Sequence, residues 1–258
     1  MNAFVRQKTY ELGDSFKDVE IFTRTGQQQT AAQNQRRKRS KESTPEQKNL
    51  NDERSKKHYM RIVKKYFKPG DIHLTLSYAD EELPATEEEA NRNVRNFIRR
   101  VNYALKKTGK RLLRYIAVTS VHGADGSPAR IHHHIILSGV ADRDKLENLW
   151  RFGYANADRI KNFRNTMNKL AGYISKQTSG RKRWFASKHL DIYSYSVDGA
   201  YSVKGLRRVA EYEAYLPDYW ARKFPGWEIV DKDHDIKVTL TEFGVKISLQ
   251  LTRKGVNK

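Results

Sequence analysis

The sequence Arg130-Ile131-His132-His133-His134-Ile135-Ile136-Leu137 places three adjacent histidines inside an apolar run rich in β-branched residues. Such a run predicts a buried β-strand, in which successive side chains point to opposite faces of the sheet. His132 and His134 would therefore share one face, and His133 would point to the other. Two imidazoles on one face, roughly 6–7 Å apart along the backbone, can converge on one metal ion. The alternatives are a polar tract or a pair of hydrogen-bonded core histidines.

Downstream, residues 161–177 are predicted to form a helix, because apolar residues recur at the spacing of one buried helix face: Phe163, Met167, Leu170 and Ile174. Tyr173 and Lys176 lie three residues apart, so they share a neighbouring face. A tyrosine beside an ammonium group suits attack on a phosphodiester, because the phenol can act as nucleophile while the cation stabilises the phosphate or the developing charge. The alternative is a tyrosine at the edge of the core beside a solvated lysine.

In this order, the two patterns resemble those of the HUH endonucleases, a superfamily named for a histidine–hydrophobe–histidine motif. The likeness is greatest to the rolling-circle replication initiators of bacterial plasmids and phages. Asp71-Ile72-His73-Leu74-Thr75-Leu76-Ser77-Tyr78 is similar to the family's first motif, and residues 181–190 are similar to the segment after the tyrosine helix. The resemblance covers roughly residues 45 to 200.

The resemblance implies an α+β, two-layer HUH-type fold, in which helices flank a central five-stranded, mainly antiparallel sheet with the histidine strand near its centre. The predicted element order, β-α-β-β-α-β-α, fits the same class. The implied activity is metal-dependent nicking and joining of single-stranded DNA. Tyr173 would attack the scissile phosphate to form a 5′-phosphotyrosine, Lys176 would stabilise the reacting groups, and His132 and His134 would hold one divalent ion, Mn²⁺ or Mg²⁺. His73 is expected to support the ligands or the fold.

The sequence departs from the family pattern at two places. His133 occupies a position where the family usually has a hydrophobe, and a histidine facing the helix layer needs a hydrogen-bond partner. The strand at 115–122, where the family usually carries an acidic or polar third ligand, contains no carboxylate. His122 is the predicted substitute, with Ser120 or Asp125 as alternatives. A site of three histidines would favour Mn²⁺ or another transition metal over Mg²⁺.

The composition points to a polyanionic partner. The 258 residues include 50 Lys and Arg against 30 Asp and Glu, a formal net charge of +20. Such a surplus indicates nucleic acid first, with an anionic membrane surface as the alternative. The sequence has no apolar run of membrane-spanning length and no signal-peptide segment at its start, so we expect no membrane partner and a location in the cytoplasm of a bacterial host. The absence of cysteine leaves histidine and oxygen ligands for any metal.

Basic residues in several segments are predicted to contact DNA. The run at 36–41 would add phosphate contacts even as a solvated arm. Residues 181–185 mix cations with aromatic rings, which suits single-stranded DNA because bases stack and phosphates pair; the alternative is a loop whose aromatics pack in the core. The predicted contacts are Arg36, Arg37, Lys38, Arg39, Arg130, Lys169, Arg181, Lys182, Arg183 and Trp184.

The sequence predicts three parts: a basic, partly flexible arm at 1–55, a nuclease domain at 56–200, and a C-terminal helix with a small antiparallel extension at 201–258. The first 30 residues are predicted to be loop or loose helix. The expected substrate is single-stranded or hairpin origin DNA. Because the sequence has no Gly-x-x-x-x-Gly-Lys-Ser/Thr phosphate loop, the helicase, like the polymerase, would come from the host. The oligomeric state stays open.

Four other functions are compatible with these patterns. A conjugative relaxase or a single-tyrosine transposase would share the chemistry. A hydrolytic metal-dependent nuclease would cut without a covalent adduct. A non-catalytic basic nucleic-acid-binding protein would bind with a steep salt dependence and leave strands intact.

Overall fold

A computed structural model describes residues 3–26, 45–122, 127–161, 163, 164, 166, 184–241 and 244–255, with the side chains of 45–47, 122 and 128 left out. In chain order the elements are β1 (Ala3–Leu12), β2 (Phe16–Thr25), α1 (Pro45–Tyr66), β3 (Ile72–Ser77), α2 (Glu87–Lys107), β4 (Tyr115–His122), β5 (Pro128–Leu137), α3 (Arg143–Leu149), β6 (Ala155–Arg159), β7 (Phe185–Ala186), β8 (Tyr195–Asp198), α4 (Val203–Arg208), a π-helix (Val209–Glu213), α5 (Pro217–Lys223), β9 (Trp227–Glu228), α6 (Lys232–Asp235), β10 (Ile236–Thr241) and β11 (Gly244–Arg253).

These elements form two compact units, each with its own antiparallel sheet and core. Pro45–Asp191 form the first, here called the histidine unit; Met1–Thr44 and Ile192–Asn257 form the second, here called the terminal unit. The architecture is α+β, as the sequence predicts. Among the described helices, none is long and apolar enough to cross a membrane.

The sheet of the histidine unit has five strands in the order β6-β3-β5-β4-β7, and every pairing is antiparallel. The histidine strand β5 lies at its centre, between β3 and β4, which confirms the predicted position. A central strand has both edges hydrogen-bonded and both faces available for packing, so its side chains are fixed in direction by two neighbouring registers.

Helix α2 covers one face of this sheet. Thr86 caps it by accepting the N–H of Glu89 at 3.2 Å, as the sequence pattern predicts. The predicted stripe is fully confirmed, because its members are the buried residues of the helix: Ala90, Val94, Phe97, Ile98, Val101 and Leu105. They pack on the alternate residues of β3 and β5, with Ile72, Leu74, Leu76, Ile135 and Leu137 among them. Burying each of these side chains stabilises the fold by roughly 1.5–3 kcal/mol.

A buried carboxylate joins the beginning of β3 to the end of β5. The Asp71 side chain accepts the backbone N–H of Lys68 at 2.9 Å and that of Gly139 at 2.8 Å. The Asp71 carbonyl also accepts the Ile160 N–H at 2.8 Å, so one residue joins three segments at this end of the sheet. Charge-assisted bonds of this kind are among the stronger contacts in a protein.

The terminal unit differs from the sequence prediction for residues 1–55. Instead of a loop or loose helix, the chain forms the ten-residue strands β1 and β2, paired along their whole length. They belong to a six-stranded sheet with the path β10-β11-β2-β1-β8, in which β9 pairs with β11. The predicted C-terminal antiparallel strands are present, but β11 pairs with β2, so the N- and C-terminal segments form one unit instead of two separate parts.

Long-range pairing explains why this hairpin was missed. Charged residues interrupt the apolar alternation of β1 and β2, and the strand that completes the sheet lies more than two hundred residues away in the chain. The predicted helix near 209–223 is also divided, because a π-helix follows α4 and Pro217 begins α5. Trp220 is fully buried in this core and donates its indole N–H to the Ala214 carbonyl at 2.7 Å.

Gly153 allows a close approach of two backbones beside β3. Its φ is +147°, and a Cβ there would lie 2.4 Å from Ala79 N and 2.8 Å from Ser77 O. Two 2.8 Å hydrogen bonds hold the same region: Ser77 N–H to Tyr154 O, and Ala79 N–H to Phe152 O. Any other residue at 153 would push these segments apart.

We expect Gly153→Ala to lower the free energy of unfolding by about 2 kcal/mol more than Gly109→Ala. Gly109 is the matched control because its φ is also positive, at +67°, but no atom lies within 4 Å of its added Cβ. Both substitutions carry the backbone strain of about 1–2 kcal/mol; only Gly153→Ala adds the clash. Urea unfolding followed by circular dichroism measures the difference, and equal destabilisation by the two would contradict the close-approach explanation.

Candidate active site

The register of β5 with its two neighbours fixes which histidines share a face. His132 lies opposite Ser77 on β3 and Ser120 on β4, and His134 lies opposite Thr75 and Val118. Directly opposed residues of an antiparallel pair point to the same side. His132 and His134 therefore share the face opposite α2, here called the His132 face, as the sequence predicts.

The two imidazoles on this face are adjacent and differently oriented. Their ring centroids are 5.0 Å apart and their planes are perpendicular. The Nδ1 of His132 lies 2.8 Å from the Arg130 carbonyl oxygen. A carbonyl can only accept, so Nδ1 carries the proton and a neutral His132 keeps the Nε2 lone pair for a ligand bond. A backbone carbonyl that fixes the tautomer in this way is a common support for a metal-binding histidine.

His134 is buried, with 5 % of its surface exposed. Burial lowers the pKa of His134 to about 3, and the neighbouring His132, His73 and His133 act in the same direction. Its ring stacks on that of His73 on β3, with centroids 5.5 Å apart and an interplanar angle of 18°. The imidazole is therefore neutral near pH 7, which is the form that binds metals.

His133 points to the opposite side and is fully buried between the sheet and α2. The Thr119 hydroxyl donates to Asn91 Oδ1 at 2.6 Å, so it accepts from His133 Nδ1 at 2.9 Å. The Nε2 atom then accepts from the Tyr78 hydroxyl at 2.8 Å. Both ring nitrogens are paired, as the sequence analysis requires of a histidine facing the helix layer. Burial lowers the pKa of His133 to about 3, with a smaller contribution from His132.

The third metal ligand stays a prediction. The His122 backbone ends β4 opposite Pro128, after an irregularity in the ladder that follows Ser120, but its side chain, like the whole of Asp125, lies outside the described residues. Ser120 is buried and lies opposite His132. Within the described ranges, no cluster of three or more His, Cys, Asp or Glu residues could hold a metal. The described residues thus supply His132 and His134 as a pair.

Most of the predicted catalytic and DNA-binding residues lie outside the described part of the chain, and their roles stay predictions. These are Tyr173, Lys176, Arg36, Arg37, Lys38, Arg39, Lys169, Arg181, Lys182 and Arg183.

Arg130 and Trp184 are described, and both have partners within the protein. Arg130 forms an ion pair with Asp80 and donates to the Tyr78 carbonyl at 2.9 Å. Trp184 donates its indole N–H to Ser55 Oγ at 3.1 Å, and its ring packs on His58 of α1 with centroids 5.6 Å apart. This agrees with the alternative in which the aromatics after residue 183 pack against the protein, so the position of Trp184 differs from that of an open stacking surface. DNA contact by either residue stays a prediction.

Phe185, the next aromatic, also packs inward. It pairs with Ala117 in the sheet, and the Arg95 guanidinium lies 5.1 Å from its ring centroid. Burial against these neighbours is the ordinary role of an aromatic on a short edge strand.

Sequence reasoning missed the partners of His133 and the β6 side of the His132 face. Asn156 and Asp158 lie opposite Thr75 and His73, and both are exposed. Strand parity could have revealed them, because Ala155 and Ala157 are the small apolar residues of the alternate set. The contacts of His133 with tyrosine and threonine side chains of other strands have no signal in the local sequence.

The buried neutral histidines predict a specific pH dependence of stability. The folded chain keeps His133 neutral down to about pH 3, whereas an imidazole in the unfolded chain protonates near pH 6.5. The unfolded state therefore binds the extra proton in this window, and the free energy of unfolding falls as pH decreases from about 6.5 toward 3, by up to about 1.4 kcal/mol per pH unit for one histidine. His134 acts in the same direction.

Replacing His133 with Gln, whose amide can also donate and accept, should remove the His133 share of this slope. Urea unfolding between pH 4 and 7, with a chelator present to suppress metal binding, measures it in wild type and His133→Gln. An identical slope in both proteins would show that His133 is protonated in the folded state.

The comparison with known families agrees with the position of these residues. Residues 71–178 match the model of a family described as replication-associated protein ORF2. The matched segment is less than half of the chain, begins at Asp71 and includes the histidine strand. No significant match to a curated protein or to a solved structure was found. Over this segment the chain is similar to replication-associated proteins, which supports a Rep-like replication protein in general terms.

Proposed function

We propose that this chain is a metal-dependent single-strand DNA endonuclease and strand transferase that initiates rolling-circle replication. The observation that carries the proposal is the convergence of His132 and His134 on one face of the central strand, with His132 held in the tautomer that leaves Nε2 free to bind a metal. The family match over residues 71–178 supports a role in replication.

The donor set fits a divalent transition metal. Both imidazoles are adjacent, one is neutral through burial, and the chain has no cysteine to compete for the site. His132 and His134 would hold the ion, with His122, Ser120 or Asp125 as the third ligand. A bound Mn²⁺ or Mg²⁺ would polarise the scissile phosphate and neutralise charge in the transition state.

The proposed nucleophile is Tyr173. Its phenol oxygen would attack phosphorus as the bond to the 3′ oxygen breaks, leaving a 5′-phosphotyrosine and a free 3′ hydroxyl for a polymerase. Lys176, three residues away, would stabilise the phenolate or the phosphate. Because the phosphotyrosine conserves the energy of the broken bond, a later 3′ hydroxyl can displace the tyrosine and reseal a circle without ATP.

The charge of the chain suits a polyanionic substrate. Its formal net charge is +20, so association with DNA would be fast and sensitive to salt. The proposed substrate is a single-stranded or hairpin origin, since this chemistry requires unpaired DNA, and host helicase and polymerase would act with the protein.

We expect His132→Ala and His134→Ala each to weaken Mn²⁺ binding by at least about 10-fold, because each removes a ligand. Isothermal titration calorimetry with Mn²⁺ measures the affinity without any DNA. The matched control is His189→Asn, because His189 is an exposed histidine of the same unit with φ of +62°, a conformation that Asn tolerates. Unchanged Mn²⁺ affinity in both alanine variants, or nicking that survives a chelator, would exclude this metal site.

We expect Tyr173→Phe to abolish nicking while changing the free energy of DNA binding by less than about 1 kcal/mol, because only one hydroxyl is removed. Labelled single-stranded origin DNA is incubated with protein and Mn²⁺, then denatured and separated on a gel. Wild type and the exposed-tyrosine control Tyr212→Phe should give a metal-dependent covalent band that Tyr173→Phe lacks. Cleavage without a band would indicate a hydrolytic nuclease, and binding without cleavage would indicate a non-catalytic binding protein.

A further inference from the structure

One aromatic side chain beside the histidine pair is left open to solvent. Tyr154, which immediately precedes β6, has 77 % of its surface exposed. Large aromatic side chains usually lose most of their surface in a folded protein, so an exposed ring next to a candidate active site suggests a binding role.

The backbone at Tyr154 is firmly held although its ring is exposed. Its carbonyl accepts the Ser77 N–H at 2.8 Å, which extends the β3–β6 ladder by one residue beyond the Leu76–Ala155 pair. The preceding Gly153 approaches the backbone of 77–79 so closely that a Cβ would clash. The Trp150 indole N–H, at 2.8 Å from Ser77 O, fixes the other side of this connection. A ring on such a fixed backbone loses little freedom when a ligand binds.

Strand parity places Tyr154 on the His132 face. The alternate residues Ala155 and Ala157 pack toward the core under α2, whereas Asn156, which lies opposite Thr75, is exposed on the other face. Tyr154 has the same parity as Asn156. Ser77, which bonds to Tyr154, is also the residue opposite His132. Tyr154, Ser77 and His132 therefore form one row across three adjacent strands.

The row sets the spacing between ring and histidine. Neighbouring strands lie about 4.8 Å apart, so the backbones of Tyr154 and His132 are separated by roughly 10 Å. A phosphate beside His132 and the base of a neighbouring nucleotide over Tyr154 can occupy these two places together. Every base has a face that can stack on an aromatic ring, so such a contact is sequence-tolerant.

We infer that Tyr154 is a stacking platform for an unpaired base of the DNA strand whose scissile phosphate lies at His132 and His134. This inference deepens the proposed function and rests on it for the position of the phosphate. The binding element is the ring, and the phenol oxygen has no part in the reaction. Tyr154 thereby helps to select unpaired DNA, because a base inside a duplex cannot reach the ring.

The test measures binding of labelled oligo(dT) to the full-length protein in a chelator, where no cleavage interferes. Tyr154→Ala should weaken binding by about 5- to 100-fold, the usual effect of removing a stacked aromatic. Tyr154→Phe and Tyr154→Trp should bind like wild type because they keep a ring. The dependence of binding on salt should be unchanged in Tyr154→Ala, since no cation is removed.

The matched control is Tyr103→Ala. Tyr103 is a tyrosine of the same unit with 62 % of its surface exposed, but it lies on α2, behind the opposite face of the sheet. Its replacement should leave oligo(dT) affinity within about twofold of wild type, because no stacked ring is removed. Wild-type affinity in Tyr154→Ala, an equal loss in Tyr103→Ala, or a loss in Tyr154→Phe as large as that in Tyr154→Ala would each overturn the stacking role.

The covalent-adduct gel separates this inference from the proposed function. A wild-type adduct together with unchanged oligo(dT) binding by Tyr154→Ala would leave the proposed function standing and refute the platform. Absence of any adduct with a binding loss confined to Tyr154→Ala would refute the nuclease and support the platform as a single-strand binding element. A covalent band that disappears in Tyr154→Phe would make Tyr154 the nucleophile and refute the stacking assignment.

Discussion

Three consecutive histidines on a central strand must be divided between the two faces of a sheet, and the buried side of that division is met by one hydrogen-bond chain. It runs from Asn91 on α2 through Thr119 and His133 to Tyr78. A buried imidazole with an unpaired nitrogen would cost about 1–3 kcal/mol. With both nitrogens paired, His133 sits where a hydrophobe would otherwise be expected, and its neighbours on either side face away from the helix.

The same burial that makes His133 compatible with the core also prepares His134. Both imidazoles are held neutral at physiological pH, with pKa values lowered to about 3. In a chain with a net charge of +20, neutral histidines add no further repulsion where a cation would have to bind. His132 remains partly exposed, and the Arg130 carbonyl orients its ring. The structure thus combines a buried, prepared ligand with an accessible one.

Local sequence patterns predicted the elements of the histidine unit well because their signals are local. The capped helix α2, its buried stripe and the alternating strand β3 all follow from spacing within one segment. The central position of β5 was implied by family resemblance and is confirmed. The hairpin of β1 and β2 was missed because its stability depends on β11, at the other end of the chain. Charges between the apolar residues of those strands also hid their alternation.

The sequence by itself determined which histidines share a face, because alternation along a strand is a property of backbone geometry. It also determined the composition of the candidate ligand set, since a chain without cysteine can offer only histidine and oxygen. Only the tertiary structure decided what satisfies His133, because its hydrogen-bond partners come from separate segments of the chain. It likewise placed Tyr154 in the row of Ser77 and His132: the pairing of β6 with β3 joins residues far apart in sequence, and no local pattern specifies that register.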